Sequence, residues 1–224
     1  MTKLTDEYVW ENYPQEYSQQ LEEIKASDKN DFHITAFDEY ESYDLLDLHM
    51  QGRLVFKDNL HPNWKELYDV AYQLKPKSVF ECGFGAGYHL YNLHKVLPEA
   101  KVLGCDLLQG QLDKCKEFSR LPDKILNKLF LANLADPDLF TKIKKPQAEF
   151  VYSQAVVMHQ STQNAINMMR NMAAISTKYI FMVEGVKNHE NWYDLVRSTL
   201  PEFEFNQVQR VNGYIDYAVL LTKK

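Results

Sequence analysis

The sequence is poor in cysteine, glycine and proline, and it has no long apolar run. Three of its 224 residues are cysteine (Cys82, Cys105 and Cys115), and no two form a Cys-x-x-Cys pair. So odd and sparse a set reads as reduced thiols in a cytoplasm rather than a disulfide framework. Glycine and proline number eight each, which excludes a fibrous or low-complexity chain. The longest apolar runs, such as residues 179–183 and 217–221, are far too short to cross a bilayer. The opening residues M-T-K-L-T-D-E-Y hold no apolar stretch, so a secretory signal is not expected. Positive charge is also short: 25 Lys and Arg against 31 Asp and Glu leave a net charge of −6. Neither nucleic acid nor a membrane is therefore an expected partner.

What is present is a core. Hydrophobic residues make up 45% of the chain, enough for one compact core and a little more. Composition shifts once. Residues 1–60 are polar, acidic and aromatic-rich (Tyr8, Trp10, Tyr13, Tyr17, Phe32, Phe37, Tyr40, Tyr43) and are expected to form an N-terminal cap or lid segment. Residues 61–224 are expected to form the main domain.

Within that domain short β-like runs alternate with helical patterns. Strands are expected at 78–82, 101–106, 128–132, 149–153 and 179–184. Helices are expected between them, among them one opening at Asp136-Pro137, one over 162–175 with Ile166, Met169, Met172 and Ala173 inward, and one over 190–199. Two last runs, 203–210 and 214–222, meet at Asn212-Gly213, a pair suited to a tight hairpin. This order predicts an α/β fold: a doubly wound, mostly parallel seven-stranded sheet with a C-terminal antiparallel hairpin and helices on both faces. Ligand sites in such sheets lie at the carboxyl ends of the strands.

The sharpest local signal is Glu81-Cys82-Gly83-Phe84-Gly85-Ala86-Gly87, directly after the first of these strands. Glycine permits a tight turn and a close ligand approach, and the following helix offers its N-terminal amides. Asp106 ends the second strand, nineteen residues after Gly87, where a carboxylate can accept both hydrogen bonds of a ribose diol. A dinucleotide loop usually reads G-x-G-x-x-G. This one reads G-x-G-x-G and carries an acid, Glu81, which would repel a pyrophosphate and welcome a cationic amino acid moiety. The plainest alternative is a tight strand-to-helix connection with no ligand.

These residues resemble the first two motifs of the class I (Rossmann-like) S-adenosylmethionine-dependent methyltransferases, over about residues 62–224. The resemblance implies S-adenosyl-L-methionine as cofactor. It puts Gly83, Gly85 and Gly87 along the methionine and ribose, Glu81 toward the amino group, Asp106 on the ribose hydroxyls and Leu107 against adenine. After the third strand the family often has an acid for the adenine amino group. Here Ala132-Asn133-Leu134 stands instead, so Asn133 would bond the adenine edge and Leu134 pack on the ring. The run E-F-V-Y-S-Q-A-V-V-M-H resembles the family's fourth motif, which implies Ser153 and Gln154 beside the sulfonium.

For chemistry, His159 follows the fourth strand at the substrate edge and suits a general base; it could equally brace its loop. Glu184 ends the fifth strand at the same edge, as a base, a binder of a substrate hydroxyl, or a solvated or capping carboxylate. Arg53 could meet an anionic substrate group or be a surface charge. Trp192 reads as helix core and His189 as exposed. No metal site is expected. The N/D-P-P-Y/F loop of DNA amino methylation and the Pro-Cys pair of cytosine C5 methylation are both absent. The reading is a cytoplasmic enzyme that methylates a small molecule, preferably on a hydroxyl oxygen. The competing readings are a catalytically inactive cofactor-binding accessory subunit and an NAD-dependent oxidoreductase. Oligomeric state is not legible.

Overall fold

The computed structural model describes residues 46–50, 53–56, 62–184, 189, 191–208 and 217–224. Strands β1 (Leu46–Met50) and β2 (Arg53–Phe56) pair antiparallel as a small ribbon, and Leu54 packs against the main core. They fall in the segment expected to be a cap, where no strand was expected. The rest of that segment lies outside the described residues.

The main domain follows the alternating pattern. Helix α1 (Pro62–Leu74) leads into β3 (Ser78–Cys82), α2 (Tyr88–Val96) and β4 (Lys101–Asp106). Then come α3 (Gln109–Phe118), α4 (Asp123–Leu126), β5 (Leu129–Leu131) and α5 (Leu139–Lys142). Strand β6 (Ala148–Gln154), a 3₁₀ turn (Val157–His159), α6 (Thr162–Ile175) and β7 (Ser176–Glu184) come next. The chain closes with α7 (Trp192–Thr199), β8 (Phe203–Gln207) and β9 (Tyr217–Lys223).

Seven strands form one sheet in the order β5-β4-β3-β6-β7-β9-β8. β3 to β7 pair in parallel, and β9 runs antiparallel between β7 and β8. Both faces are covered, so the strands carry apolar side chains on both sides. In β6, Phe150 and Tyr152 enter one core cluster and Val151 the other. From β3 the chain builds outward through β4 and β5, then returns to place β6 on β3's other side. That reversal opens a crevice at the carboxyl ends of β3 and β6.

Helix α6 shows why these elements form. Ser161 caps it, its hydroxyl accepting from the Asn164 amide at 3.3 Å. Ala165, Met168, Met169 and Met172 are buried on one face. Each fully buried large side chain contributes about 1.5–3 kcal/mol, more than the differences in helix propensity among these residues. Ile166, expected inward, is only half-buried; the stripe is rotated toward Ala165 and Met168.

Two local expectations are corrected. The helix expected at Asp136-Pro137 begins at Leu139. Asp136 instead accepts from the Asp138 amide at 2.9 Å and pairs with Lys142 at 2.6 Å, closing a turn just before the helix. His189, expected exposed, is 2% exposed and bonds the Val157 carbonyl. The two last expected runs form β8 and β9, paired antiparallel; residues 209–216, with the expected turn at Asn212-Gly213, lie outside the described residues. Trp192 is buried in the core as expected.

Candidate active site

A cavity of about 230 Å³ opens at the crevice. Most of its wall comes from four chain segments: the turn after β3, the end of β4, the segment after β5 and the loop after β6.

The turn owes its shape to glycines. Gly83, Gly85 and Gly87 have φ of 79°, 53° and 81°. At Gly85 a Cβ would meet nothing within 4 Å, and the residue lines the cavity, so any side chain there would take up ligand space. At Gly87 a Cβ would lie 2.4 Å from the Cys115 Sγ, so this glycine serves close packing of α2 rather than the wall.

Asp106, 8% exposed, lies across from the turn. Its Oδ2 accepts from the Gly85 amide at 2.9 Å and its Oδ1 from the Leu108 amide at 2.9 Å. Burial raises its pKa, and the amides of Leu108, Gly85 and Leu107 oppose that rise. Beside it Leu107 is left 42% exposed, an uncovered apolar surface at the cavity.

After β5, Asn133 and Leu134 line the cavity. Asn133 Oδ1 accepts from the Ala135 amide at 2.9 Å. Two asparagines one turn apart on α6 hold this segment. Asn171 Nδ2 donates to the carbonyls of Leu134 and Asp136 at 2.8 Å each, and Asn167 Nδ2 to that of Ala135 at 3.1 Å.

From the end of β6 and the loop after it, Gln154, Val156, His159 and Gln160 reach the wall. Ala155 sits there at φ 54°, a left-handed conformation that costs a non-glycine residue about 1–2 kcal/mol. His159 ends the 3₁₀ turn and is half-buried. Gln154 Oε1 is buried with no hydrogen-bond partner.

The fold thus gathers Gly83, Gly85, Asp106, Leu107, Asn133, Leu134, Gln154 and His159 around one space. Four other expected residues are not in its wall. Gly87 packs on Cys115, as above. Glu81 is 2% exposed, and its Oε2 has no partner. Burial, more than the nearby Asp106 charge, raises its pKa to about 8. The adjacent Tyr152 hydroxyl opposes the rise, though it makes no well-formed bond to Glu81. Ser153 is buried, and its hydroxyl donates to Glu184 Oε1 at 2.6 Å. Glu184, expected as a base, a binder of a substrate hydroxyl, or a solvated or capping carboxylate, is 1% exposed and faces protein donors. Its Oε2 accepts from the amides of Val156 and Met158 at 3.0 and 3.1 Å. Burial raises its pKa to about 7 against those bonds.

Gln111 and Gln160, 9% and 7% exposed, also line the cavity. The sequence argument missed both. Gln111 had one usable signal: it stands in the first turn of α3, five residues after Asp106. Among the described residues no cluster of His, Cys, Asp and Glu could hold a metal, and no helix is long and apolar enough to cross a membrane. The three cysteines are free and buried.

No family model matches the chain, and no curated protein is similar to it in sequence. Solved structures are similar in fold. Magnesium protoporphyrin IX methyltransferase from Synechocystis PCC 6803 with bound SAM superposes with a TM-score of 0.56 at 16% identity, over 72% of this chain and 78% of that one. The methyltransferase domain of bacterial CtHen1-C gives 0.59 at 13% identity, over 72% and 97%. An O-methyltransferase family protein from Burkholderia thailandensis gives 0.55 at 14% identity, over 98% and 70%. With the strand order above, these likenesses define the fold: that of the class I S-adenosylmethionine-dependent methyltransferases.

The wall residues fit such a cofactor. Gly85 leaves open space where a Cβ would stand, Leu107 is uncovered, and Gln154 Oε1 lacks a donor.

Proposed function

We propose that the chain is an S-adenosyl-L-methionine-dependent methyltransferase that acts on a small molecule, at a hydroxyl oxygen, by in-line displacement. One observation carries the reading: an uncovered glycine, Gly85, and a buried acid, Asp106, share the wall of one cavity at the sheet's switch point. Gly83 and Gly85 would let the methionine and ribose lie against backbone. Asp106 keeps lone pairs beyond its two amide bonds, and these would accept the ribose hydroxyls. Leu107 and Leu134 would pack on adenine, and the Asn133 amide would donate to its ring. Glu81, which burial keeps protonated without ligand, would ionise beside the ammonium group and balance it, directly or through water.

When bound, the cofactor supplies a methyl group on a positively charged sulfur, a ready electrophile. The protein's part is to orient and to move a proton. Orientation of the two reactants is worth on the order of 7–11 kcal/mol. The His159 ring would take the acceptor's hydroxyl proton as the new carbon–oxygen bond forms, a contribution of about 10²–10⁴-fold. Gln154 Oε1, with no donor of its own, would steady a donor group on either ligand. The acidic balance favours a small acceptor over nucleic acid. Three free, buried thiols accord with work in a reducing cytoplasm.

Calorimetry with S-adenosylhomocysteine and with NAD tests the reading. One site for the first ligand and none for the second is expected. Binding of NAD alone, or of neither, overturns it.

A further inference from the structure

Five hydrogen bonds tie Val183, Glu184 and His189 to the end of β6 and the loop that follows it. The Ala155 amide donates to the Val183 carbonyl at 2.9 Å. The Ser153 hydroxyl donates to Glu184 Oε1, and the amides of Val156 and Met158 donate to Glu184 Oε2. His189 Nε2 donates to the Val157 carbonyl at 3.1 Å, which assigns the ring proton to that nitrogen.

Three of the five end on one carboxylate. Two oxygens with about four lone pairs are what three converging donors require, and no other side chain of this length offers as many. The arrangement opposes a cost. Ala155 holds φ at 54°, and two amides point inward toward a side chain instead of into a helix or strand. Without the carboxylate those half-buried amides would be unpaired, so the loop would relax toward a conformation that frees Ala155 of its strain. The same loop turns Gln154, Val156 and His159 into the cavity wall, and Val156 packs against Gly83 across it.

We propose that Glu184 is a positioning residue, a clamp that sets the shape of the loop between β6 and α6 and, through it, the affinity of the cavity for its nucleoside. It touches no ligand and takes no proton from one. The identity of the ligand rests on the methyltransferase reading above; the clamp itself rests on geometry.

The test compares the wild type, Glu184→Gln and Leu221→Ala. Leu221 is a buried residue of β9 in register with Ile180, away from the loop. Three quantities are read: thermal midpoint, amide hydrogen exchange at Val156 and Met158, and affinity for S-adenosylhomocysteine. In Glu184→Gln one acceptor oxygen becomes an amino group that faces donors. Exchange at the two amides should quicken, and affinity should fall by about tenfold or more. Leu221→Ala should lose at least as much thermal stability and keep its affinity within roughly twofold. A purely structural role for Glu184 predicts instead that affinity follows the thermal midpoint in both variants, and that result overturns the proposal. So does undisturbed exchange at Val156 and Met158 in Glu184→Gln. Should Glu184→Gln not fold, Ser153→Ala keeps the carboxylate and removes one partner. Faster exchange at the same amides is then expected, and unchanged exchange overturns the clamp. A wild type that fails to bind S-adenosylhomocysteine defeats the methyltransferase reading, while the exchange measurement still decides the clamp.

Discussion

The backbone amide of Gly85 donates to Asp106 Oδ2 at 2.9 Å, joining the turn after β3 to the carboxylate that ends β4. Twenty-one residues separate the two in the chain. Parallel pairing of β3 with β4, with Cys82 opposite Cys105, brings them together.

Asp106→Ala removes this tie and the acceptor of the ribose hydroxyls at once. The amides of Gly85 and Leu108 border a cavity into which water can enter, so the fold should survive with a modestly lower thermal midpoint. Affinity for S-adenosylhomocysteine should fall by about 10–100-fold, the value of one hydrogen bond to a charged group. Titration calorimetry and circular dichroism together check both halves.

Gly85→Ala and Gly87→Ala should fail in different ways. Both force a Cβ onto a left-handed residue, at a cost of about 1–2 kcal/mol each. At Gly85 the Cβ meets nothing in the protein and enters ligand space, so binding suffers more than stability. At Gly87 it meets the Cys115 Sγ at 2.4 Å, so stability suffers first. Denaturant midpoints set beside ligand affinities separate the two. Equal stability loss with equal affinity loss would contradict the assignment of Gly85 to the wall.

His159→Ala should spare S-adenosylhomocysteine binding and slow methyl transfer by about 10²–10⁴-fold if His159 accepts the hydroxyl proton. The measurement is release of S-adenosylhomocysteine in the presence of hydroxylated small molecules. An undiminished rate would return His159 to bracing its loop.

Stability should fall as pH rises. Burial raises the pKa of Glu81 to about 8 and that of Glu184 to about 7, from ordinary values near 4.5. Between the unfolded and folded values the native state holds a proton that the unfolded state has lost, so the slope of unfolding free energy against pH is negative. Both contributions are complete below about pH 4.5. That of Glu184 is lost by about pH 7 and that of Glu81 by about pH 8. In Glu81→Gln the Glu81 part of the slope should vanish, leaving the variant relatively more stable at pH 8.5 than at pH 5. Thermal midpoints across this range, without ligand, read the effect.

The residues that were legible in the sequence carry local signals. The apolar spacing over 162–175 announced α6, and the glycines after residues 78–82 announced the turn, because side-chain period and left-handed backbone depend on near neighbours. Where two local signals competed, the reading slipped. Asp136 and Pro137 look like a helix start, yet the carboxylate closes a turn with Asp138 and the helix waits until Leu139.

By itself the sequence determined the alternating α/β order, the glycine turn and the acid at the end of β4, since each follows from side-chain period or from the special backbone of glycine. Tertiary structure decided which polar groups meet the cavity and which serve the protein. Glu184 ends β7 and His159 follows β6 at the same sheet edge, but the carboxylate meets Ser153, Val156 and Met158, up to 31 residues away, while the imidazole lines the cavity. A carboxylate's partners are chosen by packing across strands, and no pattern along the chain encodes that choice.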